Sequence, residues 1–458
     1  MPESNVSATT QTLADYIVGA TQEPLPPEVE EKTKHHVLDT LAAMVSGSKL
    51  LPGKMAIKYA RNRGGEEEAT VVGTTLRTTV EQAALANGMM AHADETDDSH
   101  AGSVTHPGCA VIPAALAVGE RQHRKGSSFL RAVALGYDVG ARFSMALDAR
   151  GFFSEGHSTH SFSPSLGAAA AAAAMSKLDA TQVRHTLSYA GQQASGVGAW
   201  IHDLEHVEKA FDFGGMPARN GVLAATFVRL GFTAVDDLFV GPRNFFQAYG
   251  TKDRPTNPGE LVRELGVRYE IMNTNIKRWT VGSPIQAPLD SLFERIKEHQ
   301  IKADDVEKVT VRVSPGSAET VDNRLMTDIN MQHMCAVMLM DGTASFEAAH
   351  DEPRMRDKRT AELRERIELL GVEGYEIEFP GRQGTVDVLL KDGRTLHHHT
   401  ATVRGTSENP MTREEVEAKA YSLIEPVLGK RRSRALIEAV WGLEDMKDVR
   451  DLARLLRA

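Results

Sequence analysis

"GAAAAAAAMSKL" (167–178) places a glycine and seven alanines in a row, and the reading of this stretch decides the fold. Alanine is the strongest helix former, so a helix accounts for the run better than a flexible low-complexity tract does. Side chains this small let neighbouring helices approach closely, which makes the segment the buried central helix of a helical domain. Immediately downstream, Asp179 is placed to cap "ATQVRHTLSYAGQQA" (180–194). Upstream, Pro26 and Pro27 precede a helix carrying Val37, Leu38, Leu41, Ala42 and Val45, which stops at Ser46-Gly47. Thr78 or Thr79 is placed to cap "VEQAALANGMMAHA" (80–93), with Glu81 or Gln82 completing a capping box. Strand patterns are scarce before about residue 250.

The period then changes. "VEKVTVRV" (306–313), "YEIEF" (375–379), "TVDVLL" (385–390) and "TLHHHTATV" (395–403) alternate as strands do, the last two joined by a hairpin-type turn at Lys391-Asp392-Gly393. One helix, "INMQHMCAVMLMDG" (329–342), interrupts this block, and helical periodicity returns after "GTSENPMTREE" (405–415). The expected architecture is mainly α with an α+β second domain. Residues 1–268 begin a large helical domain, 269–404 form a smaller α+β lid, and 405–458 complete the helical domain. A junction of this kind is a usual place for a small-molecule crevice.

Composition narrows the function. A hydrophobic fraction of 41% and a charged fraction of 25% are ordinary for a chain that buries a large core. With 62 acidic against 52 basic residues and a net charge of -10, a broad phosphate-binding surface is disfavoured, so no nucleic-acid partner is expected. Cys109 and Cys335 are too few for a disulfide framework or a thiolate zinc site, which fits a reducing, cytoplasmic setting. "MPESNVSATTQ" (1–11) has neither the basic start nor the apolar run of an export signal, and no membrane span is expected. P-loop, GxGxxG, GxSxG and HExxH signatures are missing, which leaves the chemistry to side chains with no cofactor.

Four segments concentrate acid, base and cationic groups. "HADETDDSHAGSVTHPG" (92–108) crowds His92, Asp94, Glu95, Asp97, Asp98, Ser99, His100 and His106 at a helix end and the loop after it. If that helix runs on, His92, Glu95 and Ser99 share a face. His106 precedes Pro107 at the start of "PGCAVIPAALAVGE" (107–120), where a helix N-terminus welcomes a carboxylate and favours a neutral imidazole. The bland reading is a solvated acidic loop, and a metal site is the competing functional one. "GFFSEGHSTHSFSPSLG" (151–167) brings His157, Ser158, Thr159 and His160 to the start of the alanine helix, for carboxylate binding or for capping alone. "EKAFDFGGMPARNG" (208–221) offers Lys209, Arg219 and a glycine pair that would let a ligand approach backbone. "NIKRWTVGSPIQAPLD" (275–290) offers Lys277, Arg278 and Trp279, or else a hinge. The histidines at 397–399 read as an exposed edge strand without assigned function.

Taken in order, these segments resemble the MmgE/PrpD family, which includes 2-methylcitrate dehydratase, cis-aconitate decarboxylase and iminodisuccinate epimerase. The first is similar to its H-x-x-[DE]-x-D-D-T-H…H-P signature, the second to its G-[FW]-H-S-T…G-A-A-A segment, and "DINMQHMCAVMLMDG" (328–342) to its D-I-x-x-Q-H-M helix. The resemblance spans nearly the whole chain and implies a two-domain homodimer that needs no cofactor or metal. Carried over by position, it marks Glu95, Ser99, His106, His157, Lys209 and Lys277. Departures are Glu95 for the more frequent aspartate, Ser99 for threonine, Gly282 where the decarboxylase members have a histidine, and His333 where they have a tyrosine.

The expected activity is a dehydratase-type lyase, 2-methylcitrate dehydratase-like, acting on a small di- or tricarboxylic acid. Removing a proton beside a carboxylate builds charge that fixed cations must stabilise, a task for Lys209, Lys277 and Arg278. His106 and His157 form the expected acid–base pair, with His333 in reserve. Glu95 would orient a histidine or carry a proton, and Ser99, with Asp98 beside it, would hold substrate. The alternatives are an epimerase or decarboxylase on a related acid, a metal-dependent hydrolase, and a non-catalytic metabolite-binding protein.

Overall fold

The computed structural model describes residues 6–375 and 382–458. They divide into two units, one of Met1–Ala93, Asp97–Thr274 and Arg413–Ala458, the other of Asp94–Thr96 and Asn275–Thr412. Both boundaries fall later than 268 and 404, for a local reason at each. The Glu270 amide donates to Asp138 Oδ1 (3.1 Å) and its carboxylate meets His100 Nε2 (3.2 Å), tying 270–274 to the first unit. Beyond 404, the Arg404 amide donates to Asp290 and the Ser407 amide to Asn275, so this stretch stays with the second unit.

The first unit is helical. Its centre is the helix Thr159–Ser176, whose alanines 168 to 173 are fully buried. Helices Gly126–Ala146 and Met216–Arg229 lie against it at backbone contact: a Cβ on Gly167 would come within 2.4 Å of the Gly136 carbonyl, and one on Gly221 within 2.5 Å of the Ala169 nitrogen. Only glycine fits at such crossings. Asp179 and Gln182 form the capping box of Ala180–Gln193. The box expected at Thr79 does not form. Glu68 Oε2 accepts the Val80 amide instead (3.1 Å), and Gln82 turns to the Gly64 carbonyl. The C-terminal helix Arg413–Leu428 packs along Pro27–Gly47, so chain ends far apart in sequence complete one core.

The second unit is α+β. Its four-stranded sheet runs Ile367–Gly371, Val306–Val313, Gly384–Leu390, Thr395–Thr400; the first pair is parallel and the other two antiparallel. Val306, Val309, Val311, Val386 and Val388 face a core shared with Leu289 and Leu292 of the helix Gln286–His299 and with Met334, Cys335 and Met338 of the helix Met331–Asp341. The block expected to hold one helix therefore holds several, short ones at Pro315–Val321 and Lys358–Arg364 included. "YEIEF" lies, but for Tyr375, outside the described residues. No helix among the described residues is long and apolar enough to cross a membrane.

Candidate functional site

The helix Val80–Ala91 stops where His92 departs from helical geometry, so His92, Glu95 and Ser99 do not line a continued helix face. The loop instead folds around Asp97. Its carboxylate is fully buried and receives His92 Nδ1 (2.9 Å to Oδ2) and His106 Nδ1 (3.1 Å to Oδ1). Burial alone would raise this carboxyl's pKa, but the two imidazoles hold it well below the usual range. An aspartate that accepts from both Nδ1–H groups puts each ring's basic lone pair on Nε2. His106 sits just before the helix Gly108–Arg121, as its Pro107 neighbour implies.

A second element supplies the wall. Between the short helix Val207–Ala210 and the helix Met216–Arg229 the chain makes a π-helical turn, Phe211–Gly215, a form that collects at functional sites. The Phe213 ring stacks on His160 (3.8 Å between centroids) and on His92 (4.2 Å), with His106 at 5.3 Å. Lys209 Nζ lies 5.2 Å from the Phe213 centroid and 5.5 Å from that of Trp200, within cation–π range of both. Burial, then the neighbouring His106, His92 and Lys209, push the His160 pKa well below its ordinary value, so this imidazole is neutral. Ser158 donates to Asp212 and accepts from Trp200 Nε1 (3.1 Å), and burial pushes the Asp212 carboxyl up to about 7.

The sequence-derived candidates separate accordingly. His106 and Lys209 share the Phe213 ring. His157 does not join them: it stacks on Phe152 (4.1 Å), and His160 stands 5.4 Å from His106 in the place expected of it. The reason is local, since the helix begins at Thr159 and carries His160 inward on its first turn. Asp98, expected to help hold substrate, is fully buried. Its carboxylate is filled by the Tyr137 hydroxyl (2.6 Å), His36 Nδ1 (2.7 Å) and the Gly108 amide (3.1 Å), bonds that fasten the loop to the core. Ser99 is buried beside it.

In the second unit Glu95 and Lys277 meet: the ammonium donates to the Glu95 carbonyl (2.8 Å) and lies 3.2 Å from its carboxylate, both side chains buried. Arg278, the other expected substrate cation, is held by Asp290 (3.1 Å) and lies over the Trp279 and Phe293 rings. His333 is fully buried, its two ring nitrogens have no hydrogen-bond partner among the described residues, and burial together with Arg364 and Arg354 lowers its pKa to about 4. A Cβ at Gly282 would come within 3.1 Å of Ile329 Cγ2, so a larger residue requires Ile329 to yield.

His92, Asp97 and His106 bring three potential metal-ligand atoms within 4.8 Å of one another. The contacts between them are hydrogen-bond distances from Nδ1 to carboxylate, and an ion would have to replace both protons. Sequence reading named Asp97 and His160 within their segments without placing either at the centre, and it missed Asp212, Trp200 and Phe213. The i, i+3 repeat of histidine in "HSTH" was the available signal for His160.

Comparison with known proteins places this geometry in context. The family models described as MmgE/PrpD N-terminal domain and MmgE/PrpD C-terminal domain match residues 11–257 and 279–445. The chain is 26% identical to the cis-aconitate decarboxylase-like protein oryM of Aspergillus oryzae, over 99% of this chain and 98% of that protein. It is 25% identical to the cis-aconitate decarboxylase of Homo sapiens (98% of this chain, 94% of the relative) and 21% identical to that of Aspergillus terreus (98% and 96%).

Proposed function

The chain belongs to the MmgE/PrpD family, and from that premise we propose that it is a dehydratase-type lyase removing a proton α to a carboxylate of a small di- or tricarboxylic acid. The observation that carries this reading is the pair of imidazoles held by Asp97 beside the Lys209 ammonium. With its Nδ1–H given to Asp97, His106 takes the substrate proton at Nε2, and Asp97 stabilises the imidazolium that forms. Lys209 offsets the charge developing on the substrate carboxylate. The imidazolium of His106 then returns that proton to the departing hydroxyl, which leaves as water, while His160, kept neutral, offers its N–H only as a hydrogen bond. The reading extends to a cytoplasmic homodimer; the buried free thiols of Cys109 and Cys335 are in keeping with a reducing compartment.

The test is incubation with citrate, 2-methylcitrate, cis-aconitate and related diacids in deuterated water. Deuterium is expected to enter the carbon skeleton of one of them, and to stop doing so in His106→Ala and Lys209→Ala with folding intact by circular dichroism. Failure of every acid to exchange sinks the proposal. A second reading follows from the likeness to cis-aconitate decarboxylases: loss of carbon dioxide would generate the carbanion and a histidine would protonate it. Carbon dioxide release from cis-aconitate separates the two.

A further inference from the structure

The histidine triplet at 397–399 has no part in the chemistry above, yet its surroundings are ordered. The strand Thr395–Thr400 is the edge of the second unit's sheet. Side chains alternate across a strand, so His397 and His399 stand on one face and His398 on the other. His398 accordingly turns inward, with Nδ1 3.3 Å from Ser291 Oγ, while His397 and His399 are exposed. The antiparallel register sets Asp387 opposite His397 and Thr385 opposite His399. Both partners are used: His397 Nδ1 lies 2.6 Å from Asp387 Oδ1, and His399 Nδ1 lies 2.9 Å from Thr385 Oγ1, itself 2.7 Å from the Tyr375 hydroxyl.

With each Nδ1 donating to the neighbouring strand, both Nε2 lone pairs face the same solvent-exposed side. An imidazole whose far nitrogen donates to a carboxylate or hydroxyl is the arrangement by which proteins orient metal-binding histidines. The geometry points to a surface site for a borderline divalent transition cation such as zinc, copper(II) or nickel, bound by Nε2 of His397 and His399 with water completing the shell. Residues two apart on a strand lie about 6.6 Å from each other. Both rings are exposed, and turning each about its Nδ1 hydrogen bond brings the two Nε2 atoms toward one ion at the roughly 2.0–2.1 Å metal–nitrogen distance zinc requires. The same face carries charges that tune the site. Arg312 is paired with Asp387 and opposes a cation, and Lys308 is neutralised by Glu368 (2.9 Å). Binding needs neutral imidazoles, so it weakens on acidification as protons compete.

The experiment uses the full-length protein stripped with a chelator and titrated with copper(II) chloride, followed by electron paramagnetic resonance, and with zinc chloride in a calorimeter. The first unit's His92, Asp97 and His106 are a second place for metal, so the readout is the difference between variants. Expected are one copper signal split by two imidazole nitrogens, its loss in His397→Gln and in His399→Gln, and its retention in His398→Gln. Asp387→Asn is expected to weaken binding by about 10- to 100-fold, and Arg312→Gln to tighten it. The assignment is overturned if His397→Gln/His399→Gln binds with unchanged stoichiometry and affinity, or if His398→Gln removes the signal. Neither result depends on lyase activity, so this site and the lyase reading stand or fall separately.

Discussion

Asp212 shows how a single buried carboxyl records the cost of building the site. Its pKa is raised from 3.8 to about 7, mainly by burial, with the Ser158 and Ser161 hydroxyls opposing the rise. The folded state therefore keeps a proton that the unfolded chain has already lost, and stability falls as pH rises from about 4 to about 7. Above that window the penalty is complete, at most about 4 kcal/mol. Asp212→Asn removes it while leaving an oxygen to accept from Ser158. The variant is expected to be more stable than the native protein, by about 2 kcal/mol more at pH near 8 than at pH near 5, in urea unfolding. An equal effect at the two pH values would mean that Asp212 is ionised throughout. Lys209 reads equally as a solvated charge or a ligand contact from its segment alone, and the resemblance singled it out. Asp212 was not legible, because nothing in "AFDFGG" announces that the aspartate is buried against a serine from another helix. His106 was legible through its position before Pro107. Asp97 and Asp98 are adjacent and chemically alike, and only the fold assigns one to two histidines and the other to Tyr137 and His36.

At the scale of elements, the site depends on a close crossing of two backbones. Gly88 in the helix Val80–Ala91 faces Gly214 in the π-helical turn, and a Cβ on Gly214 would fall 2.1 Å from the Gly88 carbonyl oxygen. That oxygen is backbone and cannot swing aside, so the turn itself must move. Gly214→Ala is expected to cost about 1–3 kcal/mol of stability. The same shift displaces Phe213, the ring on which His92 and His160 stack, so deuterium exchange should fall with it. A Gly214→Ala protein with native melting temperature and full exchange contradicts this account of the crossing. The π turn itself was not legible, since its glycine pair reads as a place where a ligand could approach backbone, whereas the alanine helix was, because alanine in that density has few other uses. Its first turns were not, since Thr159 and Pro164 look like a segment leading to the run, and it was the resemblance that marked His157 rather than His160. The strand Ile367–Gly371 was missed for a related reason. "AELRERIELL" (361–370) has helical composition throughout, and only pairing with Val309–Val313 turns its end into a parallel edge.

The largest scale adds a dependence of the first unit on the end of the chain. Arg413–Ala458 belongs to that unit, and its contact with the helix Pro27–Gly47 includes an ion pair, Lys419 Nζ to Asp39 Oδ1 at 2.6 Å, with both side chains buried. Even with the ammonium beside it, Asp39 is pushed up to about 6, because desolvation outweighs Lys419, and the nearby Asp98 and Asp97 add to the rise. Removing the lysine leaves the carboxylate buried without that countercharge, a change that costs about 3–5 kcal/mol when a partner of a buried pair is lost. The cost is conditional on the charge. Below about pH 5 Asp39 binds a proton in the folded state, and the lysine has less to neutralise; above about pH 7 the folded protein must either carry the charge or hold the proton at a free-energy cost. Lys419→Met is therefore expected to lose most stability at pH near 8 and clearly less at pH near 5, in guanidinium unfolding. Asp39→Asn added to Lys419→Met should recover much of the loss at the higher pH, since it deletes the unpaired charge rather than restoring the pair. If the single variant loses the same free energy at both pH values and the second substitution restores nothing, the C-terminal segment is held by apolar packing alone.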